Sequence, residues 1–513
     1  MRRRIVHSAA VVVGGAALAH AFSSAYIPLA WDGLAWIALV PVFAVALESR
    51  PRAAFGWSWL GGFVFFLGLL RWLNFTFRTY SAIPWPLTWG PTMLLAGYCA
   101  LWIGVVGALV AWLARRTSPS WALLAAPFLW VSAEWGRGHL MGGFPWGLLG
   151  YSQHARLPVI QIAELTGVYG VSFVVIAVNA VIAGCVLLPL RRALEGLALA
   201  GVLVGATLGF GAWRLGETAP APEITVAAMQ PAIEQPLKWD ERYTATTLHV
   251  YFSLTRSVGS GGADLIVWPE TASPTVLRQD PGLLAALRGV ATALDTRLVI
   301  GSIDTVDGAR YRNTAFLVTG QGIESRYDKI HLVPFGEYVP LANVIGFVRN
   351  WAEFISDMEP GSRAVVFPGP PAPFGVVICY EGIFPELFRE FVRNGARFMV
   401  NMTNDAWFGR TTGPGQHLAM YPFRAVEHRV ALVRAANTGI SAVISPTGAV
   451  TRRMGLFERG MLAGKIPLRR VLTLYTRLGD WFVYFSLVIS GVAVAAAFAR
   501  SRRFALDGGR HGR

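Results

Sequence analysis

The chain has 513 residues, of which 54% are hydrophobic and only 15% charged, with a mean hydropathy of +0.46. Soluble domains carry about 25% charged residues, so this composition excludes an ordinary soluble globular protein and points to a membrane protein with one sizeable water-facing part. The net charge of +15 comes almost wholly from arginine; the arginines gather into no single stripe and many sit at the ends of apolar runs, which argues against a nucleic-acid partner and for membrane topology.

A spanning helix needs about 20 apolar residues. Runs at 5–21, 27–47, 55–75, 87–113, 121–135, 168–190, 194–213 and 481–499 predict eight spans, the fifth short and interrupted by Pro127 and Glu134. An even number puts both termini on one side. Arg2–Arg4, Arg50, Arg52, Arg115, Arg116, Arg191, Arg192 and the tail arginines 500, 502, 503, 510 and 513 make fourteen on that side, against Arg71, Arg78, Arg137 and Arg156 in the short loops opposite. The excess predicts cytoplasmic termini and an extracytoplasmic segment between about 215 and 478. Arg2–Arg4 followed by an apolar run and Ala19-His-Ala21 also fits a cleavable signal peptide; downstream sidedness is the same either way.

The stretch 138–167, with Gly142-Gly-Phe-Pro-Trp-Gly-Leu-Leu-Gly-Tyr-Ser-Gln153, is neither a good span nor a good loop. Glycine, proline and aromatics at a membrane edge predict a re-entrant or interfacial segment. Glu134 and Arg137, three apart, are placed to pair on a helix, as a structural ion pair or beside lipid headgroups.

From about Pro222 short β-rich runs alternate with helical stretches. Strands are predicted at 224–229, 265–268, 298–302, 313–318, 375–379, 398–402 and 442–445, and helices at 243–257, 282–294, 385–394 and 416–426. This alternation predicts one α/β domain, spanning 222–467. It follows a membrane domain of seven helices (1–214) and precedes a last span (479–500) and a basic tail (501–513). Val344, Phe347, Val348, Trp351, Phe354 and Ile355 follow helical spacing. They predict an amphipathic arm dipping into lipid, or a helix packed on the domain core.

Three residues of this domain carry chemistry. Of the cysteines, Cys99 and Cys185 lie in apolar runs and only Cys379 lies in the polar stretch. It ends a strand-like run. Glu270 ends another, in Leu265-Ile-Val-Trp-Pro-Glu270, and Lys329 lies in Tyr327-Asp-Lys-Ile-His331. Lysine occurs only at 238, 329 and 465, so its use at 329 suggests that a compact ammonium is wanted there. A free thiol is only a few per cent thiolate near neutral pH. A carboxylate in hydrogen-bond reach can take its proton, and an ammonium can stabilise the oxyanion of a tetrahedral intermediate. Base, cation and thiol together suggest acyl transfer through a thioester. Taken singly, each has a bland reading: buried cysteine fills cores, and Glu–Lys pairs are common on surfaces. No nucleotide loop or metal-spaced cluster occurs, so no cofactor and no metal are expected; His331, His417 and His428 read as structural hydrogen-bonders, with a supporting role open for His331.

Val267-Trp-Pro-Glu270, Tyr327-Asp-Lys329, His331-Leu-Val-Pro-Phe-Gly-Glu-Tyr-Val-Pro340 and Cys379-Tyr-Glu381 resemble the carbon-nitrogen hydrolase (nitrilase) superfamily. More closely they resemble its membrane branch, the bacterial apolipoprotein N-acyltransferases. Asn401-Met-Thr-Asn-Asp-Ala-Trp-Phe-Gly409, Gly413-Pro-Gly-Gln-His417, Gly143-Phe-Pro-Trp146 and Gly167-Val-Tyr-Gly170 are similar to that branch too. The resemblance covers nearly the whole chain. It implies an extracytoplasmic α-β-β-α sandwich beside a polytopic helical domain, a Glu270-Lys329-Cys379 triad, and supporting positions Glu337, Tyr380 and Glu381. Trp239 looks like a further functional aromatic or a buried anchor. The implied donor is a phospholipid and the implied acceptor a diacylglyceryl-prolipoprotein, in the bacterial inner membrane. The triad alone also fits a membrane-anchored amidase using water, and the domain alone a non-catalytic scaffold. An anchor needs only one span, which argues against the first; an intact triad argues against the second.

Overall fold

The computed structural model describes residues 2–22, 31–217, 220–306, 308, 310–339, 357–369, 371–469 and 471–508, with side chains described between 3 and 500 of these. The predicted arm, with Val344, Phe347, Val348, Trp351, Phe354 and Ile355, lies outside the described residues. The chain divides into two compact units. One comprises Met1–Asn74, Thr88–Glu217 and Leu478–Arg513; the other comprises Phe75–Leu87 and Thr218–Arg477.

The first unit is helical. Among the described residues seven helical stretches are long and apolar enough to cross a membrane: Arg3–Ala21, Trp31–Glu48, Pro51–Leu69, Trp89–Arg116, Val168–Leu187, Leu190–Gly216 and Trp481–Arg500. The expected fifth span forms the 21-residue helix Pro119–His139, which carries Pro127, Glu134 and Arg137 and is not among the seven. Hydrophobic side chains face outward on these helices; Leu190 is 75% exposed and Val202 71%. Outward apolar residues of this kind suit a lipid solvent.

The second stretch is broken. A 3-10 turn, Trp31–Trp36, gives way to the α-helix Val40–Glu48. Backbone groups freed by such a break need partners inside the protein, because lipid offers none. Asn179, fully buried on Val168–Leu187, supplies them. Its Nδ2 donates to the Ala35 carbonyl at 2.9 Å and its Oδ1 accepts the Leu39 N–H at 2.9 Å.

The segment 138–167 is a chain of short turns and helices: Leu140–Gly142, Leu149–Gln153, Leu157–Ile160 and Ala163–Thr166. Glu134 and Arg137 do not pair with each other. Glu134 accepts the Leu149 N–H at 2.6 Å, and Arg137 donates to the carbonyls of Phe144 and Trp146 at 2.7 Å each. Both side chains therefore serve as backbone partners for irregular chain.

Among the described residues the second unit has eleven strands: β1 (Glu223–Gln230), β2 (Leu265–Val267), β3 (Arg297–Thr305), β4 (Tyr311–Thr319), β5 (Gly322–Asp328), β6 (Gly375–Ile378), β7 (Phe398–Thr403), β8 (Ala431–Ala436), β9 (Ala442–Ile444), β10 (Val450–Arg453) and β11 (Gly460–Pro467). They form a six-stranded sheet, β11-β1-β2-β3-β4-β5, and a five-stranded sheet, β10-β9-β8-β7-β6. Each sheet has a parallel trio, β1-β2-β3 or β8-β7-β6, flanked by antiparallel strands. The sheets face each other closely: a Cβ on Gly464 of β11 would lie 2.9 Å from Val443 Cγ2 of β9.

Helices cover the outer faces. Tyr251 on Thr244–Arg256 and Leu287 on Pro281–Leu294 share one core with Met229, Ile266, Trp268 and Phe316. Trp268 stacks on Tyr251 at 4.4 Å and donates to Thr255 Oγ1. Helices Pro385–Arg393 and Tyr421–His428 lie on the second sheet's side. Strands β2 and β6 are buried throughout, which is why they read as unbroken apolar runs rather than alternating ones. The expected helix 416–426 is two, Gly413–Leu418 and Tyr421–His428, with Pro422 at the start of the second.

Candidate active site

Parallel strands end together, so residues just past their carboxyl ends can converge from far apart in the chain. Glu270 stands three residues past β2, Lys329 directly follows β5, and Cys379 directly follows β6. All three are buried. Lys329 Nζ lies 3.3 Å from Glu270 Oε1 and 2.9 Å from Glu337 Oε1. The Cys379 thiol lies close enough to feel the charges of Glu270 and Lys329.

Cys379 has φ +52° and opens the 3-10 turn Cys379–Ile383. A non-glycine residue in the left-handed region costs of order 1–3 kcal/mol and persists only where its surroundings hold it. Here the sharp strand-to-turn corner aims the side chain away from the β6 line. Glu381, two residues on, fixes the corner. Its Oε2 accepts the Ile378 N–H at 2.7 Å; its Oε1 accepts Tyr327 Oη–H at 2.7 Å and the N–H groups of Ile330 and His331 at 2.5 and 3.1 Å. One buried carboxylate thus ties the nucleophile turn to the chain carrying Lys329. Burial pushes the Glu381 carboxyl up to about 7, against the donors that favour its charge.

Glu270 is more fully enclosed. Oε1 accepts from Asn313 Nδ2 at 2.7 Å and Oε2 from the Asn404 N–H at 2.9 Å. Burial pushes its pKa up, but the ammonium groups of Lys329 and Lys238 and the Asn313 bond outweigh that and hold it below the ordinary carboxylate range. Lys329 is raised: burial opposes its charge, and Glu337, Glu270 and Cys379 overcome it. Cys379 is pushed well up, first by burial and then by the Glu270 charge, against the pull of Lys329. The free site therefore holds an ionised carboxylate, an ammonium and a protonated thiol.

Glu337 joins the cluster through Lys329, Asn313 Nδ2 at 3.1 Å and the Val333 N–H at 2.8 Å. Tyr380 packs edge-on against Phe384 at 5.1 Å. Trp239 is 50% exposed, which removes the buried-anchor reading; its ring lies 5.8 Å from Lys238 Nζ. His331 stacks on Phe384 at 4.4 Å. Among the described residues no group of three or more His, Cys, Asp and Glu side chains is arranged to hold a metal.

Four residues that sequence reasoning passed over belong to the site. Lys238 donates to the Glu270 carbonyl at 2.9 Å and to Thr271 Oγ1; its rarity as one of three lysines was the available signal. Asn313 and Asn404 hold the carboxylate, and Tyr421 reaches the Cys379 carbonyl at 3.1 Å. Asn313 sits in an apolar strand, where a buried amide is itself a signal.

A two-sheet sandwich carrying Glu, Lys and Cys at three strand ends, in a chain with several membrane-length helices, defines a membrane-bound member of the carbon-nitrogen hydrolases. The carbon-nitrogen hydrolase model matches residues 225–474, and the model of the apolipoprotein N-acyltransferase N-terminal domain matches residues 15–181. The chain is 39% identical over 504 residues to the apolipoprotein N-acyltransferase of Geobacter metallireducens, covering 96% of this chain and 95% of that one. It is 37% identical to that of Rhizobium meliloti, with 81% of each chain covered, and 31% identical to that of Haemophilus ducreyi, with 92% and 91% covered. An amidase structure from Nesterenkonia sp. AN1 is 21% identical, with 50% of this chain and 95% of that chain covered and a TM-score of 0.38. The chain belongs to the apolipoprotein N-acyltransferase family, an acyltransferase branch of the carbon-nitrogen hydrolases with a multi-pass membrane part.

Proposed function

We propose that this protein moves an acyl chain from a phospholipid to the α-amine of the N-terminal diacylglyceryl-cysteine of a lipoprotein, in two half-reactions through a Cys379 thioester. The observation that carries this reading is a buried thiol at a held, left-handed strand end, within reach of the charges of Glu270 and Lys329, which themselves meet at 3.3 Å.

The steps balance. Glu270 takes the thiol proton as the Cys379 sulfur attacks the ester carbonyl. The carbonyl electrons move to oxygen, and Lys329 with the backbone N–H of Tyr380 faces that oxyanion. The C–O bond breaks, the leaving alkoxide takes the proton from Glu270, and lysophospholipid departs. The neutral α-amine then attacks the thioester and gives its proton to Glu270. The C–S bond breaks, the amide forms, and the thiolate recovers the proton. Because the resting thiol is held protonated, thiolate forms only as the bond to carbon forms. Glu337, Tyr380, Glu381 and Trp239 support this arrangement: Glu337 by balancing Lys329, Glu381 by fixing the turn, Tyr380 through its N–H, and Trp239 as an exposed aromatic beside Lys238. Both substrates are lipid-anchored, which fits a site serving the bilayer surface of the inner membrane. The arginine asymmetry supports cytoplasmic termini and a catalytic unit on the opposite side.

Intact mass spectrometry after incubation with phospholipid alone tests the scheme. The expected result is one added acyl mass on the Cys379 peptide, absent in Cys379→Ala and discharged by a diacylglyceryl-peptide that becomes N-acylated. An unmodified thiol that still alkylates overturns it.

A further inference from the structure

Tyr421 Oη lies 3.1 Å from the Cys379 carbonyl oxygen and 3.1 Å from His417 Nε2. His417 Nδ1 lies 3.1 Å from Arg434 Nη2 and 3.0 Å from Asp405 Oδ1. All these side chains are fully or almost fully buried. The path is built for: a Cβ on Gly382 would sit 2.2 Å from Tyr421 Oη, so only glycine there lets the phenol reach the nucleophile's peptide.

A tyrosine has one proton to donate. Given to the Cys379 carbonyl, it leaves the phenol oxygen to accept from His417, which then carries its proton on Nε2. Burial and the Arg434 charge hold His417 below its usual pKa, so the imidazole is neutral and its Nδ1 is an acceptor, for Arg434. The donors then run one way, Arg434 to His417, His417 to Tyr421, Tyr421 to the Cys379 carbonyl, and the 3.0 Å approach of His417 Nδ1 to Asp405 Oδ1 carries no proton but is bridged by Arg434 Nη2, which donates to both residues. Asp405 takes Arg434 through Oδ2 at 2.6 Å and Thr403 Oγ1–H through Oδ1 at 3.0 Å, so its oxygens are served without the imidazole proton. The opposite tautomer, Nδ1–H to Asp405, would draw Tyr421's proton to Nε2 and strip the buried carbonyl of this donor.

The Cys379 carbonyl and the Tyr380 N–H are two ends of one peptide. Accepting a hydrogen bond at the carbonyl pulls charge through the amide and makes its N–H a stronger donor. We propose that Arg434, His417 and Tyr421 form a directional hydrogen-bond chain that polarises the Cys379–Tyr380 peptide and so strengthens the Tyr380 N–H toward the oxyanion in both half-reactions. Tyr421 and His417 are positioning residues in this scheme, acting through the peptide and touching no substrate. The inference rests on the thioester reading of Cys379 given above.

Tyr421→Phe removes the one O–H and keeps the ring. An oxyanion-hole donor is worth about 10²–10³ in rate, and each bond in a chain strengthens its neighbour by perhaps 10–30%. Losing the chain should therefore slow both acylation by phospholipid and transfer to a diacylglyceryl-peptide by a similar factor of roughly two to eight. The phospholipid concentration giving half the maximal rate should not change. Full-length protein with ¹⁵N-labelled histidine, in proteoliposomes, should show the His417 proton on Nε2, the signal being assigned by its loss in His417→Gln. A Tyr421→Phe protein that acylates at the wild-type rate, or a His417 proton on Nδ1, overturns the proposal. Should wild type itself form no acyl adduct, the thioester reading falls, while the histidine tautomer still decides whether the chain exists.

Discussion

Lys329 is the residue whose size decides most. Its single nitrogen touches Glu270 and Glu337 at once, both within 3.3 Å, at 1% side-chain exposure. Lys329→Met leaves the buried Glu270 and the half-buried Glu337 carboxylates facing each other with no cation between them. Breaking a buried ionic cluster in this way costs about 3–5 kcal/mol, and a large drop in melting temperature is expected along with the loss of the acyl adduct. Lys329→Arg keeps the charge but brings a planar fork of five donors into a space fitted to one ammonium; it should retain more stability than Lys329→Met and still lack acylation. An active Lys329→Arg would mean that charge alone suffices. Lys238 sets a different test. Burial lowers its pKa to about 8, against the charge of Glu270. The folded value lies below the unfolded one, so between them the unfolded chain binds the extra proton, and stability from this group rises with pH across that window. Activity moves the other way. As pH climbs through about 8 the ammonium beside Glu270 is lost, and the acylation half-reaction, measured with phospholipid alone so that no amine titrates, should fall. Lys238→Gln keeps donors and removes the charge; its profile should be lower and lack that limb. On the acid side Glu270 is held below the ordinary value of about 4.3, so its own protonation should contribute no descending limb above that pH.

At the scale of elements, the close approach of β3 to the Glu270 turn is the exposed weakness. A Cβ on Gly301 would lie 2.3 Å from the Pro269 carbonyl and 2.7 Å from the Thr271 N–H. Thr271 is already at φ +44°, so the turn has no slack. Gly301→Ala should displace Glu270 from the thiol. An unchanged far-UV spectrum with acylation reduced at least tenfold is the expected result, and wild-type acylation would show that the turn gives way elsewhere. The strands that place the chemistry, β2 and β6, were legible because burial on both faces leaves an unbroken apolar run ending at the functional residue. Of the four strands that were not legible, β5, β8, β10 and β11, three have a clear physical reason. β5 (Gly-Ile-Glu-Ser-Arg-Tyr-Asp) and β10 (Val-Thr-Arg-Arg) are exposed or polar edge strands, and their identity comes from pairing with β4 and β9, which no local pattern announces. β8 is wholly buried yet carries Arg434, a charge that breaks the apolar signal and is neutralised only by Asp405, distant in sequence. The same non-locality hid Tyr421 and Asn404. Each is a plain residue until two strand ends meet.

For the whole molecule, what sequence and structure say separately is that a helical unit able to meet lipid is joined to a sandwich that holds the chemistry. The helical unit keeps its irregular parts by spending buried polar side chains on backbone. Asn179 does so for the broken second stretch, and Asn179→Leu would leave the Ala35 carbonyl and Leu39 N–H without the partners seen here. Each such buried group costs about 1–3 kcal/mol, which should appear as a lower melting temperature in detergent with the acylation chemistry intact at permissive temperature. Sidedness is a property of the whole chain and depends on charge rather than on any fold detail. Fourteen arginines against four in the flanking loops predict Arg192 on the cytoplasmic side and Glu241 on the other. In a Cys99→Ala, Cys185→Ala background, Glu241→Cys should react with an impermeant maleimide added to intact spheroplasts, whereas Arg192→Cys should react only after permeabilisation. Cys379, buried and held as the thiol, should stay largely unlabelled under the same brief exposure and serves as the internal control. Labelling at 192 and protection at 241 would invert the topology, place the sandwich beside the cytoplasm, and remove the catalytic unit from the side where exported lipoproteins present their amine.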